Sequence, residues 1–295
     1  MLSRFRQSSN RPGALRATAA CVCATALLPG AGLLSGCASP GATIADATVP
    51  DAPTVLLIHG LARRSGSLDQ IGDALQASGH RLCYIDYAST RHGPPELLRQ
   101  VTAAIDDCVG DSATVHAVTH SLGGILLRAY AREHRGRING RVVMLAPPNG
   151  GSELSDVVER SVLLRAVLGP TAAQLGTGPL SYPNRLGPAT FDVGVIAGTR
   201  SVHPLGTFLL QGDNDGTVTV ERARLPGMKD FATVRRAHSF LMGAPEVVHE
   251  TQAYLEEGCF SRDLEEVSYD KHTPCALKEL TPDKSVRVAM RLSSP

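Results

Sequence analysis

From Thr54 onward, short apolar runs alternate with segments whose apolar residues recur every three or four positions. The runs "TVLLIHG" (54–60), "HRLCYIDY" (80–87), "ATVHAVTH" (113–120) and "RVVMLAPP" (141–148) predict strands. Between them, "SLDQIGDALQAS" (67–78), "PPELLRQVTAAIDDCVG" (94–110) and "LGGILLRAYAREH" (122–134) predict helices. Ser67 is the expected N-cap of the first; the second opens on prolines and closes on glycine. Strands this continuously apolar, each followed by a helix, imply a parallel sheet covered on both faces.

The alternation breaks at Asn149. Residues 152–168 predict one helix with an apolar face at 154, 157, 158, 162, 164 and 168, followed by a Gly/Pro/Thr-rich stretch to 190. Residues 150–190 either pack this face permanently on the core or, as the family resemblance stated below implies, form a cap or lid. The pattern resumes with strands at 191–199 and 231–237 and a last helix at 245–258. Past Cys259 the tail is a charge-balanced extension, 259–295, in which "SVRVAMRL" (285–292) has the period of an edge strand.

The N-terminal end reads differently. Arg4, Arg6, Arg11 and Arg16 precede an apolar run interrupted by Pro29 and glycines, in the order of a secretory signal. The run ends in Leu34-Ser35-Gly36-Cys37, which resembles the processing box of bacterial lipoproteins. That resemblance implies a signal peptide over 1–36 and a lipid on the Cys37 sulfur. It also implies a small-residue tether over 37–52, which leaves a folded domain over 53–258. Ala38-Ser39 lacks the aspartate that retains such proteins at the inner membrane in some bacteria, so the outer membrane is the expected site.

The chain carries a formal net charge of +1. Of its 29 basic residues four lie in the signal, leaving 25 against 28 acidic ones; no basic patch argues for nucleic acid. Beyond Cys37 the cysteines are Cys83, Cys108, Cys259 and Cys275, an even number in an exported chain. Proximity in sequence favours Cys83–Cys108 and Cys259–Cys275. No Cys or His pairing has zinc spacing.

The candidate chemistry centres on Ser121, in "HAVTHSLGGILLR", between a predicted strand and a predicted helix. Gly123 and Gly124 permit close approach of the two elements, and the helix N-terminus favours developing negative charge. Thr119-His120-Ser121-Leu122-Gly123 resembles the G-x-S-x-G nucleophile elbow of the α/β-hydrolases, with threonine in place of the first glycine. "GDNDGTV" (212–218) resembles that family's acid turn and selects Asp215, with Asp213 the alternative. His238, in "RRAHSFLM", stands where the family carries its base; His116, His203 and His249 are not expected to act. "IHGLA" (58–62) resembles the oxyanion loop, implying the Leu61 and Leu122 amides as donors, with His59 a brace and His120 without an acid–base role. "LAPPNGGSE" (145–153) is similar to a turn of bacterial lipases.

In order and spacing, these motifs span 54 to about 257 and resemble the lipase/esterase branch. They also resemble the hydrolase domain of glycosylphosphatidylinositol inositol-deacylases. The resemblance implies an α/β-hydrolase fold and a Ser121–His238–Asp215 triad cleaving carboxylic esters, with no metal or organic cofactor. The expected partners are an ester or lipid substrate and a membrane reached through the lipid anchor. A thioesterase, amidase or acyltransferase on the same triad is the alternative within enzymes. A catalytically silent ligand-binding lipoprotein and a structural envelope protein are the alternatives of other classes.

Overall fold

A computed structural model of the chain describes residues 40–45, 51–202 and 204–280. Eight strands form one sheet: β1 (Gly41–Ala45), β2 (Thr54–Ile58), β3 (Arg81–Asp86), β4 (Val115–His120), β5 (Arg141–Leu145), β6 (Asp192–Gly198), β7 (Asp230–Val234) and β8 (Val267–Tyr269). Their spatial order is β1-β3-β2-β4-β5-β6-β7-β8. The strands from β3 to β7 pair in parallel, and β1 and β8 close the edges antiparallel.

The alternation of side chains along each strand divides the core in two. Leu56 and Ile58 of β2 face one way, into a cluster with α2 (Pro94–Val109) and α3 (Leu122–Glu133). Val55 and Leu57 face the other way, toward α1 (Asp69–Ala77) and α8 (Pro245–Glu257). Both faces of the central strands are thus dry, which is why their runs are apolar throughout instead of alternating. The prolines of α2 occupy its first turn and its end is met by Gly110 at φ 51°; α8 likewise starts at Pro245 and stops at Gly258 in the left-handed region.

The path of the chain sets the position of the site. From β2 it moves outward to β3, then returns across β2 to β4 and proceeds in the opposite direction. The reversal lies between β2 and β4, so the loops leaving their carboxyl ends diverge to opposite faces and leave a crevice, where ligands of open α/β sheets bind.

Four expectations require correction. Residues 41–45, assigned to a tether, form β1, because Gly41 through Ala45 register against Asp86 through Leu82 and complete an otherwise open edge. The sheet also continues past residue 258, through β8 on β7, followed by α9 (Pro274–Leu280). Ser67 does not cap α1: a 3₁₀ turn over Ser65–Leu68 precedes the helix, and the Ser67 hydroxyl donates to the Arg64 carbonyl. Residues 152–168 are two helices, α4 (Glu153–Arg160) and α5 (Val162–Leu168), because Ser161 is extended and caps the second through Leu164 N–H; the short helices α6 (Pro204–Leu209) and α7 (Val220–Ala223) lie between β6 and β7. Residues 285–292, the signal segment with Cys37, and His203 lie outside the described residues.

Both favoured disulfides are present, Cys83–Cys108 joining β3 to α2 and Cys259–Cys275 joining the end of α8 to α9. Among the described residues no helix is long and apolar enough to cross a membrane.

Candidate active site

Strand β4 ends at His120 and α3 begins at Leu122, leaving a single residue to turn the chain. Ser121 does so at φ 52°, ψ −120°, a region costly to a residue with a Cβ. Neighbours hold it there: its N–H donates to Leu145 O at 2.9 Å and its carbonyl accepts from Gly124 N–H at 3.0 Å. The helix starts so close to β2 that a Cβ on Gly123 would stand 2.4 Å from Ile58 O and 2.6 Å from His59 O. Gly60 is equally constrained, since its Cβ would meet His120 Nδ1 at 2.7 Å. Thr119, in the place of the motif's first glycine, is fully buried with a hydroxyl that has no partner among the described residues.

Three side chains distant in sequence meet at this point. His238 opens a short 3₁₀ turn just after β7, and its Nε2 lies 3.0 Å from Ser121 Oγ. Its Nδ1 lies 2.7 Å from Asp215 Oδ2. An ionised carboxylate only accepts, so Nδ1 carries the proton and Nε2 is left free to accept from the serine hydroxyl. Asp215 is itself anchored: Oδ1 accepts from Thr217 N–H at 2.9 Å and Val218 N–H at 2.8 Å. Its carbonyl also accepts from His238 N–H at 3.0 Å, so acid and base are tied by backbone as well as side chain. Asp213 is exposed, and its carbonyl serves only to accept from Val220 N–H; Asp215 is the carboxylate on the imidazole.

The loop after β2 is braced as expected of His59. Its Nδ1–H donates to Gly60 O at 2.8 Å, its ring stacks on Tyr87 at 4.3 Å, and the Tyr87 hydroxyl donates to its carbonyl at 2.6 Å. Burial holds the imidazole below its ordinary pKa, opposed by the Gly60 bond and by Asp86. Ala62 N–H is taken up by Ser89 Oγ. The Leu61 and Leu122 amides donate to no acceptor among the described residues, Leu122 because it opens a helix. Leu61 lines the cavity over Ser121, and Leu122 follows Ser121 in the chain.

Sequence reasoning missed several supports. His120, fully buried, donates from Nε2 to His238 O at 3.1 Å, with the two rings 4.8 Å apart. Burial first, and His238 second, hold it well below the usual histidine range, so it is a neutral strut. The 145–153 turn acts on the acid: Ser152 Oγ donates to Thr217 O at 2.7 Å and Asn149 Nδ2 to Ala223 O at 2.9 Å. Arg128 of α3 is buried without a carboxylate and bridges Asn149 to Pro183 O and Gly187 O; burial lowers its pKa to about 10. An arginine on the buried side of a helix was the available signal. His116 accepts from Arg141 N–H and is pushed by burial to about 4, and His249 pairs with Asp263 near the surface; neither is at the site.

Over Ser121 and His238 lies a cavity of about 500 Å³. Leu154, Val158, Leu164, Leu168 and Leu175, from residues 150–190, make its apolar wall. Val162, expected on that same face, is instead 74% exposed, because the break at Ser161 reorients the second helix. Cavities of about 570 and 600 Å³ beside Arg128 and Cys108 contain no triad residue.

Two groups of metal-ligand types occur among the described residues. In one, Cys259 and Cys275 are joined as a disulfide and Asp230 is paired with Arg262. In the other, Glu250 is occupied by Ser261 and Tyr269, and His249 by Asp263. Neither includes a triad residue.

The fold has many solved counterparts. The mature form of a Bacillus licheniformis lipase, BlEst2, aligns with a TM-score of 0.59 at 21% identity, over 75% of this chain and 99% of that one. Its propeptide form gives 0.59 at 22%, over 70% of this chain and only 51% of that one, so the chain spans about half of that longer form. Aspergillus fumigatus lipase B gives 0.55 at 15%, over 72% and 56%. No curated protein sequence matches. At these identities the structural likeness speaks for the fold alone. The sequence of residues 55–268, however, matches the alpha/beta hydrolase family, and this stretch runs from β2 through Ser121, Asp215 and His238 to β8. By that match, over most of its length, the chain belongs to the α/β-hydrolase family.

Proposed function

We propose that the protein is a serine hydrolase that cleaves carboxylic esters through an acyl-enzyme. The observation that carries this reading is the unbroken chain from Ser121 Oγ to His238 at 3.0 Å and from His238 to Asp215 at 2.7 Å. His238 Nε2 takes the hydroxyl proton as Ser121 Oγ bonds to the ester carbonyl carbon. The carbonyl oxygen, now an oxyanion, accepts from the Leu61 and Leu122 amides. Asp215 holds the imidazolium through Nδ1–H. Collapse breaks the C–O bond to the alcohol, which leaves with the proton from Nε2. Water then repeats the sequence on the acyl-enzyme, releasing the acid and restoring Ser121.

An apolar acyl group fits the wall of the 500 Å³ cavity. The outer side of α5 leaves Val162, Leu163 and Val167 exposed, a feature that suits lipid-like substrates. Labelling by a fluorophosphonate that is lost in Ser121→Ala tests the nucleophile. Hydrolysis of p-nitrophenyl esters from C2 to C16 tests the acyl range. An unlabelled, inert parent protein would refute the reading.

We further infer that residues 1–36 direct export and that Cys37 is lipidated, placing the domain at the outer membrane. The support is the Leu34-Ser35-Gly36-Cys37 box behind an arginine-bearing apolar segment. Globomycin-sensitive processing and release of Cys37→Ser into the soluble fraction are the expected results; processing indifferent to globomycin would refute it.

A further inference from the structure

The cavity above Ser121 holds one feature that cleavage of a plain ester does not use. Arg63 lines it, beside Leu61 and Ala62. The Arg63 N–H donates to Gly60 O at 3.3 Å, closing the turn that presents the Leu61 amide, so its side chain is carried by the oxyanion loop itself. By contrast, Arg222 pairs with Glu153, Arg224 with Asp270 and Arg236 with Glu246, and the buried Arg128 donates to Asn149 and to the carbonyls of Pro183 and Gly187. Among the described residues Arg63 makes no side-chain hydrogen bond or ion pair, and no aspartate or glutamate lines this cavity. Its charge is felt at the site: after burial and His238, Arg63 also helps hold the His120 imidazole neutral.

An unpaired guanidinium at an apolar, carboxylate-free cavity presents a fork of donors for a planar or tetrahedral anion. Resting on the ester-hydrolase reading above, we infer that the preferred substrates are esters carrying an anionic group, phosphate or carboxylate, beside the scissile bond. In this arrangement the acyl group lies on the wall formed by α4 and α5, and Arg63 engages the anion. Arg63 is a specificity-determining residue; it takes no part in proton transfer.

The test uses the purified full chain and short-chain substrates held below their micellar concentration, so that no lipid surface contributes. Monooctanoyl glycerol is compared with its phosphate monoester, and with octanoyl lactate to distinguish phosphate from carboxylate. The reading is the ratio of kcat/KM for the anionic over the neutral ester. The parent should favour one anionic ester, with a preference that weakens as salt rises. Arg63→Gln should lower the ratio on the order of tenfold, as expected for a hydrogen bond to a charged group. Arg63→Lys should restore part of it, and Arg63→Glu should drive it below the Gln value. A ratio that is the same in the parent and in Arg63→Gln overturns anion recognition while leaving ester hydrolysis intact. Failure of the parent to hydrolyse any of the three, together with no fluorophosphonate label, overturns the hydrolase reading and this one with it.

Discussion

The elbow that carries Ser121 and the cap that covers it are built in opposite ways. Of the 12 residues in α3, ten are buried, and at Gly123 its first turn approaches the Ile58 and His59 carbonyls too closely to admit a Cβ. Helix α5 of the cap buries none of its seven, and turns Val162, Leu163 and Val167 outward. The first arrangement has one packing and tolerates no added atom. The second is held by few contacts, as segments that admit substrate are in enzymes generally. The contrast is between a rigid elbow at the sheet's edge and a loosely packed wall over it.

Substitutions can break this contrast at several points. The largest effect should fall on turnover. Asp215→Asn is expected to reduce kcat by about 10⁴-fold, since the neutral amide no longer fixes the imidazole tautomer. Asp213→Asn, in an exposed residue two positions away, should do far less. Equal losses on p-nitrophenyl esters would mean that the acid turn matters for folding, with no special role for its second aspartate.

Next in size is the elbow's packing. Gly123→Ala places a methyl 2.4 Å from a backbone carbonyl that cannot move without β2. It should cost roughly 3 kcal/mol, the upper end for overpacking. Leu163→Ser, at a 72% exposed site in the cap, should change stability by no more than about 0.5 kcal/mol. Urea unfolding of the two variants measures the contrast directly, and comparable midpoints would dissolve it. The Cys83–Cys108 bond supports the same side of the molecule across a separation of 25 residues, and its removal by paired alanines should cost roughly 3 kcal/mol. The cap contains no cysteine to replace it.

The smallest effect is one of pH. His116 of β4 is held neutral by burial, its pKa lowered to about 4, whereas in the unfolded chain it titrates at about 6.5. Between those values the unfolded chain binds more protons than the folded one. This contribution is therefore complete above about pH 6.5 and is lost as pH falls toward about 4. His116→Gln should flatten the stability profile in that window, measured by thermal unfolding at stepped pH. Residues 150–190 hold no histidine, so this contribution lies outside the cap. An unchanged slope would show that His116 is solvated in the fold.

The succession of strands and helices along the chain was legible in the sequence, and so was the disulfide pairing. Short continuous apolar runs, proline starts and glycine stops are local signals, and the cysteine partners lie near each other along the chain. The reading failed where an element depends on its neighbour. Residues 41–45 have no strand pattern strong enough to announce themselves and become a strand only by pairing with β3. Ser161 breaks a helix whose apolar spacing continues through it, because a local serine cap competes with helix propagation.

The residue types of the site were likewise legible: a serine between a strand and a helix, an aspartate in a glycine-bounded turn, a histidine after the next strand. Their chemistry follows from side-chain identity, and their order follows from the chain. The acid-turn resemblance already favoured Asp215 over Asp213; the tertiary structure alone decided how closely it meets the imidazole, that His120 braces His238, and that Arg63 stands at the cavity without a side-chain partner among the described residues. Each is a matter of a few ångströms between segments as much as 118 residues apart. No local pattern encodes such a distance, because it is set by the packing of the whole sheet.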